Sequence, residues 1–271
     1  MGRTADYSRQ SCSIAATLEV IGDPWTLLVI RDAFNGVSRF EQWQERLGVA
    51  RNVLAARLKS LVQHGVLEAR LQWPSGMDRL GVPVKGKLKP GEGLAEGRVL
   101  ARLTDLGWGG ALRELFAAGA ADRAVDPGML QACVQVLREW GAGDSRNPGW
   151  SGVGRPAAIV SVPSRGKPEL VRSLAKGISE IGRIPYLGEL QLAHGGPTGN
   201  RGGNSAYRLA GVWDRLVVGP ELEAALGSLQ GGSVMLIDDI VDSRWTLTVA
   251  GRVLRQAGAG AVIPLVLAQA G

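Results

Sequence analysis

The spacing of apolar positions changes along this chain. Over the first seventy residues they recur at helical intervals, whereas past residue 157 they gather into short unbroken runs set between helical stretches. Asp23-Pro24-Trp25 reads as a helix start, an N-cap acceptor followed by proline at the first helical position, where its missing N–H costs nothing. That helix continues as an apolar run from Thr26 to Phe34, and Asn35-Gly36 ends it. Ser38-Arg39-Phe40-Glu41 has capping-box spacing, so a second helix is predicted from Ser38 to about Leu47. Gly48-Val49 makes a tight turn, and a third helix follows from Ala50 to His64, stopped by Gly65. Two short helices joined by a tight turn are the skeleton of a helix-turn-helix.

On the third helix Leu54, Leu58 and Leu61 share one face at 3.6-residue spacing and are expected in a core. The opposite face carries Asn52, Ala55, Ala56 and Lys59, flanked by Arg51 and Arg57. Small alanines let a helix lie close to a groove floor, while asparagine and cations meet base edges and phosphates. The same face also fits a solvated surface over a three-helix core.

Residues 72–97 are rich in Gly, Pro and Lys, with Lys85, Lys87 and Lys89 alternating, and read as an irregular basic connector. Such a segment either touches phosphates or is a solvated loop. Thr104–Ala118 and Pro127–Trp140 are expected as amphipathic helices, and residues 144–155 as a polar loop. Next comes a buried-type strand at Ala157–Val162, a turn at Pro163–Pro168 and a helix from about Glu169 to Ile181. Val234–Ile237 is a second such strand, followed by a polar loop, a helix from Trp245 to Gln256 ended by Gly258, and a strand at Ala261–Ala268. Strand, helix, strand in that order implies right-handed crossovers and a mainly parallel sheet. Ligands in such sheets sit at the carboxyl ends of the strands, where both polar loops fall. The expected organisation is a helix-turn-helix domain over 1–71, a basic linker over 72–98, a helical connector over 99–148 and an α/β domain over 149–271.

Composition changes this picture little. A 45% hydrophobic content suits a globular protein, and the net charge of +6 is spread along the chain, which is compatible with a polyanionic partner. Cys12 and Cys133 are far apart, so a reducing cytoplasm is expected rather than a disulfide scaffold. A polar, charged start from Met1 to Gln10 argues against a signal peptide, and no apolar run is long enough for a membrane span. His64 and His194 are the only histidines, which makes a His-rich zinc site or a Ser-His-Asp triad a poor expectation. No metal site is expected from protein side chains alone.

Resemblances to known families extend these readings. Cys12–Arg70, with its early cysteine, the IG-x-x-W-T-L-L stretch, the G-x-x-R-F turn and the N-V-L-x-x-R-L-K-x-L helix, resembles the HxlR family of bacterial winged-helix transcription regulators. That family binds operator DNA as dimers, which implies double-stranded DNA as partner, a homodimer, and Arg51, Asn52, Arg57 and Lys59 at the DNA. Some relatives sense oxidants through the cysteine that matches Cys12; a merely structural thiol is the other reading. After Leu67–Leu71 the family continues into a second wing strand and a dimerising helix, and this chain departs into QWPSGMDRLGVPVKGKLKPGEG.

From Gln72 onward the chain resembles the C-terminal extension of actinobacterial RecQ-type DNA helicases, through WPSGMDRLGVPVKGKLKPGE, RVLARLTDLGWGGALRELF and GGNSAYRLAGVWDRLVVGPEL. No GxxxxGK[ST] phosphate loop or DEAH-like box accompanies it. VMLIDDIVDSRWTLTVAG (Val234–Gly251) is similar to the ribose-phosphate loop of type I phosphoribosyltransferases, D-D-x-x-[DT]-[TS]-G-x-T. The match implies that Asp238 and Asp239 bind ribose hydroxyls, that Asp242 lies near the base, and that Ser243, Arg244 and Thr246 surround a phosphate at the following helix N-terminus. Ser161–Lys167 stands where the family's pyrophosphate loop belongs, with Ser164, Arg165 and Lys167 as its candidates. His194–Trp213 stands where the mobile hood belongs and resembles the ComF-like branch, whose members serve DNA uptake. No cofactor is required, although a phosphoribosyl pyrophosphate ligand would bring Mg²⁺.

Arg244 replaces the family's glycine, a position where a left-handed non-glycine residue costs about 1–2 kcal/mol. The expected architecture is thus an α+β winged helix-turn-helix followed by an α/β phosphoribosyltransferase-like domain. The expected function is DNA-binding transcription regulation, with the second domain a non-catalytic sensor of a phosphoribosyl or nucleotide ligand or a protein-interaction platform. An accessory fragment of a RecQ-type helicase and an active phosphoribosyltransferase of nucleotide salvage are the rival readings.

Overall fold

The structure, a computed structural model, describes residues 12–67, 72–89, 91–143, 149–198 and 205–270. It divides into two compact units, Met1–Arg70 and Leu71–Gly271.

The first unit holds α1 (Ser13–Ile21), α2 (Pro24–Phe34), α3 (Phe40–Leu47) and α4 (Arg51–Gln63). Asp23 caps α2 by accepting from the Trp25 N–H, with Pro24 in the first turn. Val29, Val37, Trp43, Val49, Leu54 and Leu61 form the core, against which Leu58 packs partly buried. α2 is not uniformly apolar: Asp32 is fully buried and is held by Arg31 at 2.8 Å and Arg46 at 3.5 Å. The capping box expected at Ser38 is displaced. α3 begins at Phe40, so Gln42 rather than Glu41 occupies its third position, and Gln42 accepts from the Ser38 N–H at 3.5 Å. Gly48 and Gly65 take positive φ, as the two turns flanking α4 require. The described part of this unit is helical, and the wing strand expected at Leu67–Leu71 falls almost wholly outside the described residues.

The second unit comprises β1 (Arg98–Arg102), α5 (Gly107–Leu115), α6 (Pro127–Ala142), β2 (Ala158–Ser161), α7 (Pro168–Gly182), β3 (Tyr186–Glu189), β4 (Gln191–Leu192), α8 (Ser205–Ala210), β5 (Leu216–Val217), α9 (Pro220–Gly227), β6 (Ser233–Val241), α10 (Trp245–Gln256) and β7 (Ala261–Gln269). Five strands form one sheet in the order β1-β7-β6-β2-β3, with every neighbouring pair parallel. β4 and β5 make a separate antiparallel pair. Both faces of the sheet are covered, which is why its central strands β2, β6 and β7 carry long apolar runs. Met235 and Ile237 of β6 face a core shared with α5, α6 and α7, while Val234 and Leu236 face one shared with α9 and α10.

Three expectations change here. Residues 98–102, read as the last linker position and the start of a helical connector, are the edge strand β1 paired with β7. The chain enters that strand through Gly97, where a Cβ would come within 2.6 Å of the Pro264 carbonyl oxygen. The segments read as linker (72–98) and helical connector (99–148) therefore belong to the same unit as the sheet. β6, expected to stop at Ile237, runs to Val241 because β7 stays paired with it through Asp238↔Val266 and Ile240↔Ala268. A third apolar cluster, Trp73, Met77, Val82, Leu209, Val212, Trp213, Trp245 and Val249, fastens residues 72–89 to α8 and α10. Cys133 lies in the main core, where burial pushes its thiol up to about 12 and leaves it inert.

Candidate functional site

On α4, Arg51, Asn52, Ala55, Ala56 and Lys59 are exposed together, opposite the buried Leu54 and Leu61. The Arg51 guanidinium rests 4.9 Å above the Phe40 ring, which limits its freedom without taking its donors. Arg57 is half-buried and ion-paired with Asp23 at 2.9 Å, which ties α4 to the start of α2. Cys12 is exposed immediately before α1.

In the second unit the chain leaves β2 for β3 on one side and β6 for β7 on the other. The sheet order therefore reverses between β2 and β6, and their carboxyl ends define the crevice where such sheets bind ligands. Asp238 and Asp239 end the buried part of β6 there, only 5% and 9% exposed. Asp238 accepts from the Asp239 N–H at 2.9 Å, and Asp239 accepts from the Ile240 N–H at 2.6 Å and from the Ser164 hydroxyl at 2.6 Å. The Ser164 bond joins the two loops across the crevice.

Burial raises the pKa of Asp238 well above its ordinary 3.8, and the neighbouring Asp239 charge adds to the rise. The folded unit thus keeps a proton that the unfolded chain releases above the ordinary carboxylate range, and stability falls as pH climbs from there through the raised value. Asp238→Asn should flatten that fall and leave the unit at least as stable at neutral pH. Urea midpoints across the pH range check this, and a variant with an unchanged pH slope would refute it.

In the loop after β2, two of the three candidate residues are engaged by hydrogen bonds within the chain. Lys167 is buried and its ammonium donates to the carbonyls of Ala120 and Ala121 at 2.6 and 2.9 Å. The Ser164 hydroxyl, besides its bond to Asp239, accepts from the Lys167 N–H at 3.0 Å. At the N-terminus of α7 the Glu169 and Leu170 N–H groups donate to the two carboxylate oxygens of Asp122, at 2.7 and 3.2 Å. The chain's own carboxylate occupies the place an anion would take. Of the three candidates only Arg165 remains exposed. Sequence reading had no access to Asp122: it lies 47 residues before Glu169 and carries no local motif.

The loop after β6 is different. Asp242, Ser243, Arg244 and Thr246 line a cavity of about 380 Å³, together with Asp238 and the aromatic rings of Phe116 and Tyr207. Arg244 caps α10 in a left-handed conformation, φ 63°, with its side chain exposed. The backbone shape that glycine would provide is kept at a cost of about 1–2 kcal/mol. Trp245 does not fill the space. It turns into the third cluster, stacks on Trp73 at 5.8 Å and donates its indole N–H to Ser205 at 2.8 Å. Asp242 is ion-paired with Arg208 of α8 at 2.8 Å, which brings the expected hood onto the loop; residues 199–204 of that hood lie outside the described residues. No three His, Cys, Asp or Glu side chains gather as a metal site among the described residues.

Residues 20–76 match the HxlR-like helix-turn-helix family. The match takes in α2 to α4 and stops far short of the sheet. Over 67 residues this HxlR-like part is 42% identical to the uncharacterized HTH-type transcriptional regulators Rv3095 of Mycobacterium tuberculosis and Mb3122 of Mycobacterium bovis. The alignment covers 25% of this chain and 42% of each relative, so the chain spans less than half the length of the curated relatives it matches. The crystal structure of PA1607 is 46% identical over 27% of this chain and 49% of its own, with a TM-score of 0.23. Among the described residues no helix is long and apolar enough to cross a membrane.

Proposed function

We propose that the protein is a duplex-DNA-binding transcription regulator whose α/β unit is phosphoribosyltransferase-like and acts as a sensor, not as an enzyme. The exposed face of α4 carries the first half of this reading. Asn52 offers the paired donor and acceptor that suit an adenine edge, Arg51 and Lys59 suit guanine edges or phosphates, and Ala55 and Ala56 permit close approach. The relatives' names as transcriptional regulators support the same assignment. By the same resemblance the binding species is a homodimer on a two-fold symmetric site.

The second half rests on the loop after β6. Its hydroxyls, the N-terminal N–H groups of α10 and the exposed Arg244 offer a phosphate-sized anion several donors, next to two buried carboxylates suited to ribose hydroxyls. The resident Asp122 at α7 and the committed Lys167 speak against turnover, since a pyrophosphate leaving group would need those donors. A phosphoribosyl or nucleotide ligand at Asp238–Thr246 would then shift DNA affinity.

The test is duplex binding by fluorescence anisotropy with and without phosphoribosyl pyrophosphate or nucleoside monophosphates. A shift of severalfold is expected, lost in Arg244→Ala while the affinity without ligand stays the same. Equal affinity with every such compound rejects the sensor. Pyrophosphate release that disappears in Asp239→Asn would instead establish an enzyme.

A further inference from the structure

Residues 72–89 follow α4 by nine positions in the chain and take no part in the crevice or in the reading face of α4. Their backbone is fixed from beneath. Trp73, Met77 and Val82 are buried at 3%, 1% and 3% exposure, and Val84 and Leu88 pack on the same cluster. Gln72 pairs antiparallel with Lys87, and the Trp73 N–H donates to the Gly86 carbonyl at 2.8 Å. The outward charges are mostly positive, four cations to one exposed carboxylate. Arg79, Lys85, Lys87 and Lys89 are all exposed, and Asp78 is the single carboxylate within these eighteen positions.

Apolar residues therefore alternate inward with cations pointing outward, on a segment whose ordering cost is already met by its core. A solvated loop needs neither the buried anchors nor the alternation. Cations held on a fixed backbone lose little freedom when they meet phosphates. A short tether to a DNA-reading helix also keeps them at an effective concentration of order millimolar around any duplex that helix holds.

We propose that Lys85, Lys87 and Lys89, with Arg79, form a second, sequence-independent contact to the phosphate backbone of the duplex read by α4. The proposal rests on the DNA-binding reading of the first unit. It separates the work between the units: α4 chooses the sequence, and the lysine segment adds affinity that salt removes.

Each phosphate neutralised contributes about −0.9 to the slope of log K against log salt concentration on duplex DNA. The experiment measures that slope for the full chain by anisotropy, on duplexes enriched from random sequence by the wild-type protein and on an unselected duplex. Lys85→Ala/Lys87→Ala/Lys89→Ala should make the slope shallower by roughly 2 to 3 and weaken both duplexes by the same factor, leaving their ratio intact. Restoring charge with arginine at the three positions should restore the slope. Asn52→Ala should do the opposite, lowering the ratio with little change in slope. Unchanged slope and affinity in the triple alanine variant, with wild-type circular dichroism, overturns the proposal while leaving the α4 reading in place. A loss confined to the selected duplex overturns it too. Failure of the wild-type chain to bind any duplex removes the DNA reading itself, a result distinguishable from the other two.

Discussion

Leu61→Ala should unfold the N-terminal unit and abolish sequence-selective duplex binding while the α/β unit stays folded. Leu61 has no exposed surface and packs among Val29, Trp43, Val49 and Leu54 on the inner side of α4. Emptying that position costs about 2–5 kcal/mol, the lost transfer of the side chain plus the cavity it leaves. A unit of this size buries little core, and its stability sits near the low end of about 5–15 kcal/mol, so the loss approaches the total. The separate compactness of the two units predicts that the damage stays local. Urea unfolding should lose its early transition, and near-ultraviolet dichroism from Trp25 and Trp43 should collapse. An unchanged first transition with wild-type DNA affinity would refute the assignment of Leu61 to the centre of this core.

A comparable effect is expected in the other unit from Trp245→Ala. The side chain is 4% exposed, stacks on Trp73 with an interplanar angle of 18°, and spends its indole donor on Ser205. Truncating a buried tryptophan costs about 3–5 kcal/mol. Trp245 directly follows Arg244 and is the first residue of α10. Its removal therefore frees the left-handed turn that presents Arg244 and releases residues 72–89 from one of their anchors. Urea midpoints should fall accordingly, with Trp245→Phe between the two because it keeps a stacked ring but not the hydrogen bond. A loss below about 1 kcal/mol would mean the cluster adapts around the gap, contrary to the packing described.

The contrast between Arg244 and Lys167 explains what the amino-acid order reveals and what it hides. Local signals were sufficient for α2, whose Asp23-Pro24 start is a contact between neighbours, and for α10, bounded by a turn and a glycine. They were sufficient also for the sheet class, since buried parallel strands announce themselves as apolar runs. The short edge strand β1 was missed because its five residues include two arginines and their partners on β7 lie 167 positions further on. Roles at the site depended on such distant partners as well. Lys167 looked available until the carbonyls of Ala120 and Ala121 were placed beside it, and Arg57 until Asp23 was. Arg244 keeps the left-handed turn that its resemblance to a glycine position requires, and Trp245 beside it turns into the tryptophan cluster.

The carboxylate of Asp122 at the head of α7 has a further consequence for selectivity against inorganic phosphate. A helix N-terminus left bare beside a ligand crevice would collect inorganic phosphate whenever the ligand was absent. Here free phosphate must compete with a group that is covalently tethered and already hydrogen-bonded twice. Of the two helix ends at the crevice, that of α10 carries no side-chain cap, so changes in free phosphate should leave the β2 side of the molecule unmoved.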